Sequence, residues 1–233
     1  LLDLADEIIA IEPDAVLIYA GHNEYLGIMG AGSAFGLGSR WLTLLYLEVK
    51  ELRLVQLAQY LYQQLHTDSS ENTDKTEVSH PSQRSRTVMA QVAKHKNIVF
   101  DSPLYQAGIE QFRGNMQRLL DKYQSAGIPV MLATVASNLT EQPPFASTPV
   151  ADTSQSQVAA LNKALTEQRR PDVQLLHHLS HAAINSNSAA LHYAVARGFL
   201  ALAETEQARR HFMLAKEHDL LRFRAPEAIN QVI

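Results

Sequence analysis

The chain contains no cysteine. Disulfides, thiolate metal sites and a cysteine nucleophile are thereby excluded, and nothing follows about compartment. No apolar run reaches membrane-spanning length. The longest candidate, Trp41 to Val49, already carries Glu48 and is closed off by Lys50, Glu51 and Arg53. Neither charge is in large excess: the net charge is −4 with both signs dispersed, so no electrostatic argument favours nucleic acid. No glycine-rich loop is followed by a helical lysine, and a nucleotide role is unsupported. No signal-like basic segment opens the chain, whose first residue is Leu. What remains is 233 residues with enough apolar side chains for a real core. The pattern begins inside one helix and stops inside another at Ile233, as expected of a piece of a longer protein.

The chain is organised around Asp14 to Gly27, DAVLIYAGHNEYLG. Leu1, Leu4, Ala5, Ile8 and Ile11 fall on one face at helical spacing, and Pro13 ends that helix. Ala15 to Tyr19 is apolar at every position, the pattern of a strand buried on both faces in a parallel sheet. It runs into the polar turn Gly21-His22-Asn23-Glu24. Polar turns at the carboxyl ends of such strands are where α/β proteins keep their chemistry. A second unit repeats the arrangement. Asp101-Ser102-Pro103 is a helix start, and Ile109, Phe112, Met116, Leu119 and Tyr123 mark a buried face. Gly127 supplies the stop. Ile128 to Val135 is the second apolar strand, ending at Ser137-Asn138. Two parallel strands with helical crossovers are the smallest doubly wound pattern.

Between the two units, Gly27 to Gly38 holds five of the ten glycines. It reads as a plain connector or as a loop facing the substrate. Arg40 to Leu65 reads as a long, well-covered helix. His66 to Arg86 is polar and cannot bury enough surface to order itself. Thr87 to Ala93 can form a short helix. After the proline- and serine-containing stretch from Asn138 to Gln157, the pattern is all helical: about Ser156 to Gln168, Val173 to Asn185, Ser188 to Leu202 and Glu204 to His218. Ala196, Phe199, Ala208, Phe212 and Ala215 resemble the small and aromatic positions of a tetratricopeptide hairpin. One or two such hairpins need the rest of the chain to pack against. Leu221 to Ile233 starts a new helix after Pro226. His177 or His178 can share a helix face with His181, but no carboxylate at matching spacing accompanies them, so surface histidines are favoured over a zinc site. Arg222 and Arg224 read either as ligands of a carboxylate or phosphate or, more commonly, as solvated or ion-paired arginines.

Helix, Pro-Asp, apolar strand and then Gly21-His22-Asn23-Glu24 resembles the third sequence block of the SGNH (GDSL-type) hydrolases, commonly Gly-x-Asn-Asp. The similarity continues in DSPLYQAGIEQFRGNM, in the strand leading to TVASN, and in LRFRAPEAIN. These segments look like a bacterial branch with repeat helices inserted late in the hydrolase domain. The resemblance implies an α/β fold: a partial flavodoxin-like, three-layer parallel sheet with an all-helical insertion. Residues 1–150 are then the central α/β part, with 66–86 as a disordered loop. Residues 151–220 are the tetratricopeptide-like insertion, and 221–233 return into the α/β domain. The pattern is incomplete. No Gly-Asp-Ser lies upstream of the block, no Asp-x-x-His lies downstream, and Glu24 stands where Asp is usual. Asp101-Ser102 follows the block and reads as a helix cap.

The resemblance makes Asn23 an oxyanion donor, with Gly21 allowing a sharp turn and close approach to substrate. From the residues alone, the favoured reading of Asn23 is a turn residue bonding its own backbone. His22 packs beside the turn and Glu24 accepts hydrogen bonds from loop amides, both on the substrate side, with Asn138 lining the same cleft. The implied activity is that of a serine-dependent hydrolase on an ester or acyl group, with Ser and His outside these residues and no cofactor. Residues 1–233 alone are expected to be inactive. The implied substrate is a small ester, a lipid or an acylated glycan, and the helical repeats can take a protein partner. Relatives of this kind often carry an N-terminal anchor, which points to an extracytoplasmic or membrane-anchored parent. Two other readings stand beside this one: a non-catalytic helical-repeat scaffold, and an acyltransferase on the same fold.

Overall fold

The computed structural model describes residues 1–26, 31 and 97–233. The expectations for the connector 27–38 (Ala31 apart), the helix over 40–65, the polar loop 66–86 and the helix over 87–93 lie outside the described residues. A 3-10 turn, Leu2–Leu4, leads into α1 (Ala5–Ala10) and then β1 (Val16–Tyr19). Next come α2 (Pro103–Ser125), β2 (Val130–Ala133), α3 (Asp152–Thr166), α4 (Val173–Ile184), α5 (Ala189–Ala201), α6 (Thr205–Glu217) and the single turn α7 (Glu227–Asn230). β1 and β2 pair in parallel from Val16–Val130 to Tyr19–Ala133. Among the described residues the architecture is therefore mixed α/β, mostly helical, around a small two-stranded parallel sheet.

Local sequence explains α2 well. The Ser102 hydroxyl accepts from the Tyr105 amide at 3.3 Å, Pro103 occupies the first turn, and Gly127 follows the helix end at φ +72°. Ile109, Phe112, Met116, Leu119 and Tyr123 are all buried. With Ile18, Tyr25, Val135 and Ile229 they form the core beneath the sheet. Gly108 is required where Tyr25 crosses the helix, because a Cβ there would overlap the tyrosine ring.

Two expectations need correction. The first helix does not present Leu1, Leu4 and Ile11 to the core; these are 61%, 49% and 75% exposed. The tighter 3-10 turn rotates the buried stripe onto Leu2, Ala5, Ile8 and Ile9. Nor are the strands buried on both faces. Ile18 is buried, but Leu17, Tyr19 and Met131 on the opposite face are more than half exposed. A run of apolar residues specifies a strand without saying that both of its faces are covered.

Helices α3 to α6 share a separate apolar cluster, centred on Leu161, Leu176, Leu179, Val195, Phe199 and Phe212. Caps at Asp172 and Ser188 open α4 and α5, and the three residues 202–204 turn α5 into α6 as a helical hairpin. Inside this hairpin lies a histidine layer. His192 and His211 are each 1% exposed and face each other through their Nδ1 atoms at 2.9 Å. The Ser180 hydroxyl lies 3.0 Å from His211 Nε2, and His218 stacks on His192 with ring centroids 5.5 Å apart. Two facing ring nitrogens share only one proton. Burial is the main cause that pushes both His192 and His211 down to about 4, with neighbouring positive charge adding to it.

Both rings are neutral in the fold at pH 7. As pH falls from about 6.5 towards 4, the unfolded chain takes up protons that the fold refuses, so stability is lost across that window. Melting followed by far-ultraviolet circular dichroism should show a midpoint at pH 4.5 at least about 5 °C below that at pH 7. His211→Gln should remove part of that slope; an unchanged slope would contradict this assignment.

Candidate functional site

β1 ends at Tyr19, and the chain turns sharply through Gly21 to Leu26. Gly21 has φ +152° and is buried against Ile229 and Val135. A Cβ there would lie 2.7 Å from Ile229 Cγ2. The missing side chain is therefore used for close approach of two protein segments, α7 and the end of β2. His22 Nδ1 accepts the Ala225 amide at 3.1 Å, which fixes the neutral ring as the Nε2–H tautomer. Asn23 is exposed, and its side chain has no hydrogen-bond partner among the described residues. The expectation that a turn asparagine bonds its own backbone is not what the structure displays. Tyr25 anchors the far side of the turn: it is fully buried, and its hydroxyl donates to the Tyr105 carbonyl at 2.9 Å. The turn is thus pinned on both flanks of Asn23.

Burial raises the Glu24 carboxyl above its ordinary range. Among the described residues no loop amide donates to that carboxylate; instead the Glu24 backbone carbonyl accepts from Ala31 at 2.8 Å. Asn138 sits in the loop after β2. Its side chain closes a local turn, with Oδ1 accepting from the Glu141 amide at 3.0 Å and Nδ2 donating to the Glu141 carboxylate at 3.3 Å. Gly21, His22 and Asn138 are joined through the segment 221–230, because Arg224 donates to the Asn138 carbonyl while the next residue, Ala225, bonds His22.

That segment is the part that local sequence reading missed. Asn230 Oδ1 accepts the Val135 amide at 2.9 Å, and its Nδ2 donates back to the Val135 carbonyl at 3.2 Å. An asparagine side chain thereby replaces a neighbouring strand at the end of β2. Arg222 and Arg224 are both buried. Arg224 pairs with Asp219 at 3.1 Å. Arg222 donates to the Ile98 and Glu217 carbonyls and lies over the Tyr105 ring. Neither guanidinium faces solvent as an anion ligand. The spacing of Asp219, Arg222 and Arg224 was the available signal.

His177 meets the Phe199 ring edge-on, and His181 lies beside Asn185. Among the described residues no group of three or more His, Asp or Glu side chains is placed to hold a metal ion. An open groove lined by Asp6, Ile9, Asp121 and Lys122 lies between α1 and α2. It sits where these helices lead into the amino ends of the strands, and an ion pair from Lys122 to Asp6 spans it.

Gly21→Ala is expected to cost about 2 kcal/mol or more, from backbone strain and displacement of Ile229. Gly127→Ala makes a direct control, because its backbone is also left-handed but nothing lies within 4 Å of the added carbon. It should cost about 1 kcal/mol. Calorimetric melting of the two variants distinguishes them. The chain matches no family model, no curated protein and no solved structure.

Proposed function

We propose that this chain is the central part of a serine-dependent SGNH-type hydrolase acting on an ester or acyl group, with Asn23 as an oxyanion donor. The observation that carries the reading is the exposed Asn23 amide with no partner among the described residues. It sits in a turn at the carboxyl end of a strand in a parallel sheet and is held by buried neighbours on either side. An uncharged N–H donor that spends no hydrogen bond on its own backbone suits a site where negative charge develops. Under this reading the two strands belong to a flavodoxin-like, three-layer sheet, and the Ser nucleophile and His base come from segments outside residues 1–233. α3 to α6 form a tetratricopeptide-like insertion. An acyltransferase would use the same donor in the same way, and product analysis separates it from a hydrolase.

Protein expressed from the complete coding sequence should hydrolyse a short-chain aryl ester such as p-nitrophenyl acetate. Asn23→Ala should lower kcat by about a hundredfold to a thousandfold. Wild-type turnover with an unimpaired Asn23→Ala variant would remove Asn23 from the mechanism. Absence of turnover on acyl substrates of any chain length would remove the hydrolase reading.

A further inference from the structure

The turn that carries Asn23 owes its shape to residues about two hundred positions away in sequence. Two contacts bind it to the segment 225–230, and a third ties that segment to Val135 beside it. The Ala225 amide donates to His22 Nδ1. Ile229, fully buried, fills the space left by the absent Gly21 side chain. Asn230 grips Val135 through both its amide and its carbonyl, and the Val135 methyls in turn lie 3.4 and 3.7 Å from the position of a Gly21 Cβ. Gly21 and His22, immediately before Asn23, are therefore enclosed by one continuous stretch. That stretch is itself fixed to the helical hairpin. The Glu227 amide donates to the Glu217 carboxylate at 2.9 Å, and Lys216, 5% exposed, reaches the carboxylates of Glu217 and Glu227.

We infer that His22 and Asn230 are positioning residues. Together with Ile229 they form a clamp that sets the direction of the Asn23 amide, and they act through the turn without touching substrate. The inference rests on the proposed oxyanion role of Asn23 for its catalytic consequence, but the clamp itself is independent of that role. Removing His22 leaves the Ala225 amide without its partner, and removing Asn230 leaves the Val135 amide without its own; in either case the turn can then relax. Misplacement of a donor by about 1 Å costs up to about a hundredfold in rate.

Asn supplies the needed contrast for His22. Its Oδ1 stands at the same number of bonds from the backbone as His Nδ1 and accepts from the same amide, but it has no ring and no Nε2–H. In the protein expressed from its complete coding sequence, His22→Ala and Asn230→Ala should each lower kcat for p-nitrophenyl acetate by at least about tenfold. KM should stay within about twofold. His22→Asn should recover most of what His22→Ala loses. If His22→Asn is as impaired as His22→Ala, or if the loss appears in KM, His22 works through its own ring and the inference is overturned.

Nuclear magnetic resonance gives a readout that does not depend on activity. In His22→Ala and Asn230→Ala the side-chain amide signals of Asn23 should shift and broaden, and in His22→Asn they should return towards their wild-type positions. Asn23 signals unchanged in both alanine variants would overturn the clamp, whatever the enzyme does. Shifted Asn23 signals in a protein without esterase activity would keep the clamp and remove only the hydrolase reading.

Discussion

One buried carboxylate ties the parts of this structure together. Asp219, 2% exposed, accepts the amides of Phe145, Ala146 and Leu221 and pairs with Arg224. Its neighbour Leu220 bonds Ala146 through its amide and Ile98 through its carbonyl. Two consecutive residues thus connect the end of α6, the loop after β2 and the approach to α2. Removal of one partner from such a buried pair leaves an uncompensated charge, at a cost of about 3–5 kcal/mol. The hydrogen bonds around Asp219 also decide where the chain goes next. They aim residues 222–230 across the carboxyl ends of both strands, where Ala225 and Ile229 meet the turn and Asn230 meets Val135.

The consequence is a site whose rigidity comes from distant sequence. The turn after β1 has no regular secondary structure of its own beyond Tyr19. Tyr25 anchors it to α2 on one side, and the returning segment anchors it on the other. Between these anchors Asn23 is left exposed, with no hydrogen-bond partner among the described residues. A braced turn whose polar side chain closes no hydrogen bond among the described residues suits the proposed donor role, since such side chains often settle into local hydrogen bonds. Asn138 does this at the end of the second unit, where its amide is spent on Glu141. The two asparagines follow corresponding strands but differ in this respect, and the oxyanion reading therefore rests on Asn23 alone.

Much of the α/β part was legible because its signals are local. Ser102, Pro103 and Gly127 bracket α2, and the spacing of Ile109, Phe112, Met116, Leu119 and Tyr123 predicts its buried face. The two apolar runs predict two strands, and parallel pairing follows from the helix between them. Coverage of the strand faces was not legible, since Leu17 and Ile18 look alike in sequence yet differ from 67% to 5% exposure. The histidines that cluster in sequence, His177, His178 and His181, are not those that cluster in space. His192, His211 and His218 come together only once α5 folds onto α6. Likewise the spacing of Asp219 from Arg222 and Arg224 hints at an ion pair but not at its burial. Its burial is a property of three chain segments meeting.

The most direct measurement is a structure of the complete protein bound to a phosphonate that mimics the tetrahedral intermediate of acyl transfer. The account predicts the phosphonyl oxygen within about 2.7–3.1 Å of Asn23 Nδ2, with His22 still bonded to Ala225 and Asn230 still bonded to Val135. A phosphonate bound away from the Gly21–Tyr25 turn, or an Asn23 side chain directed away from it, would contradict the account.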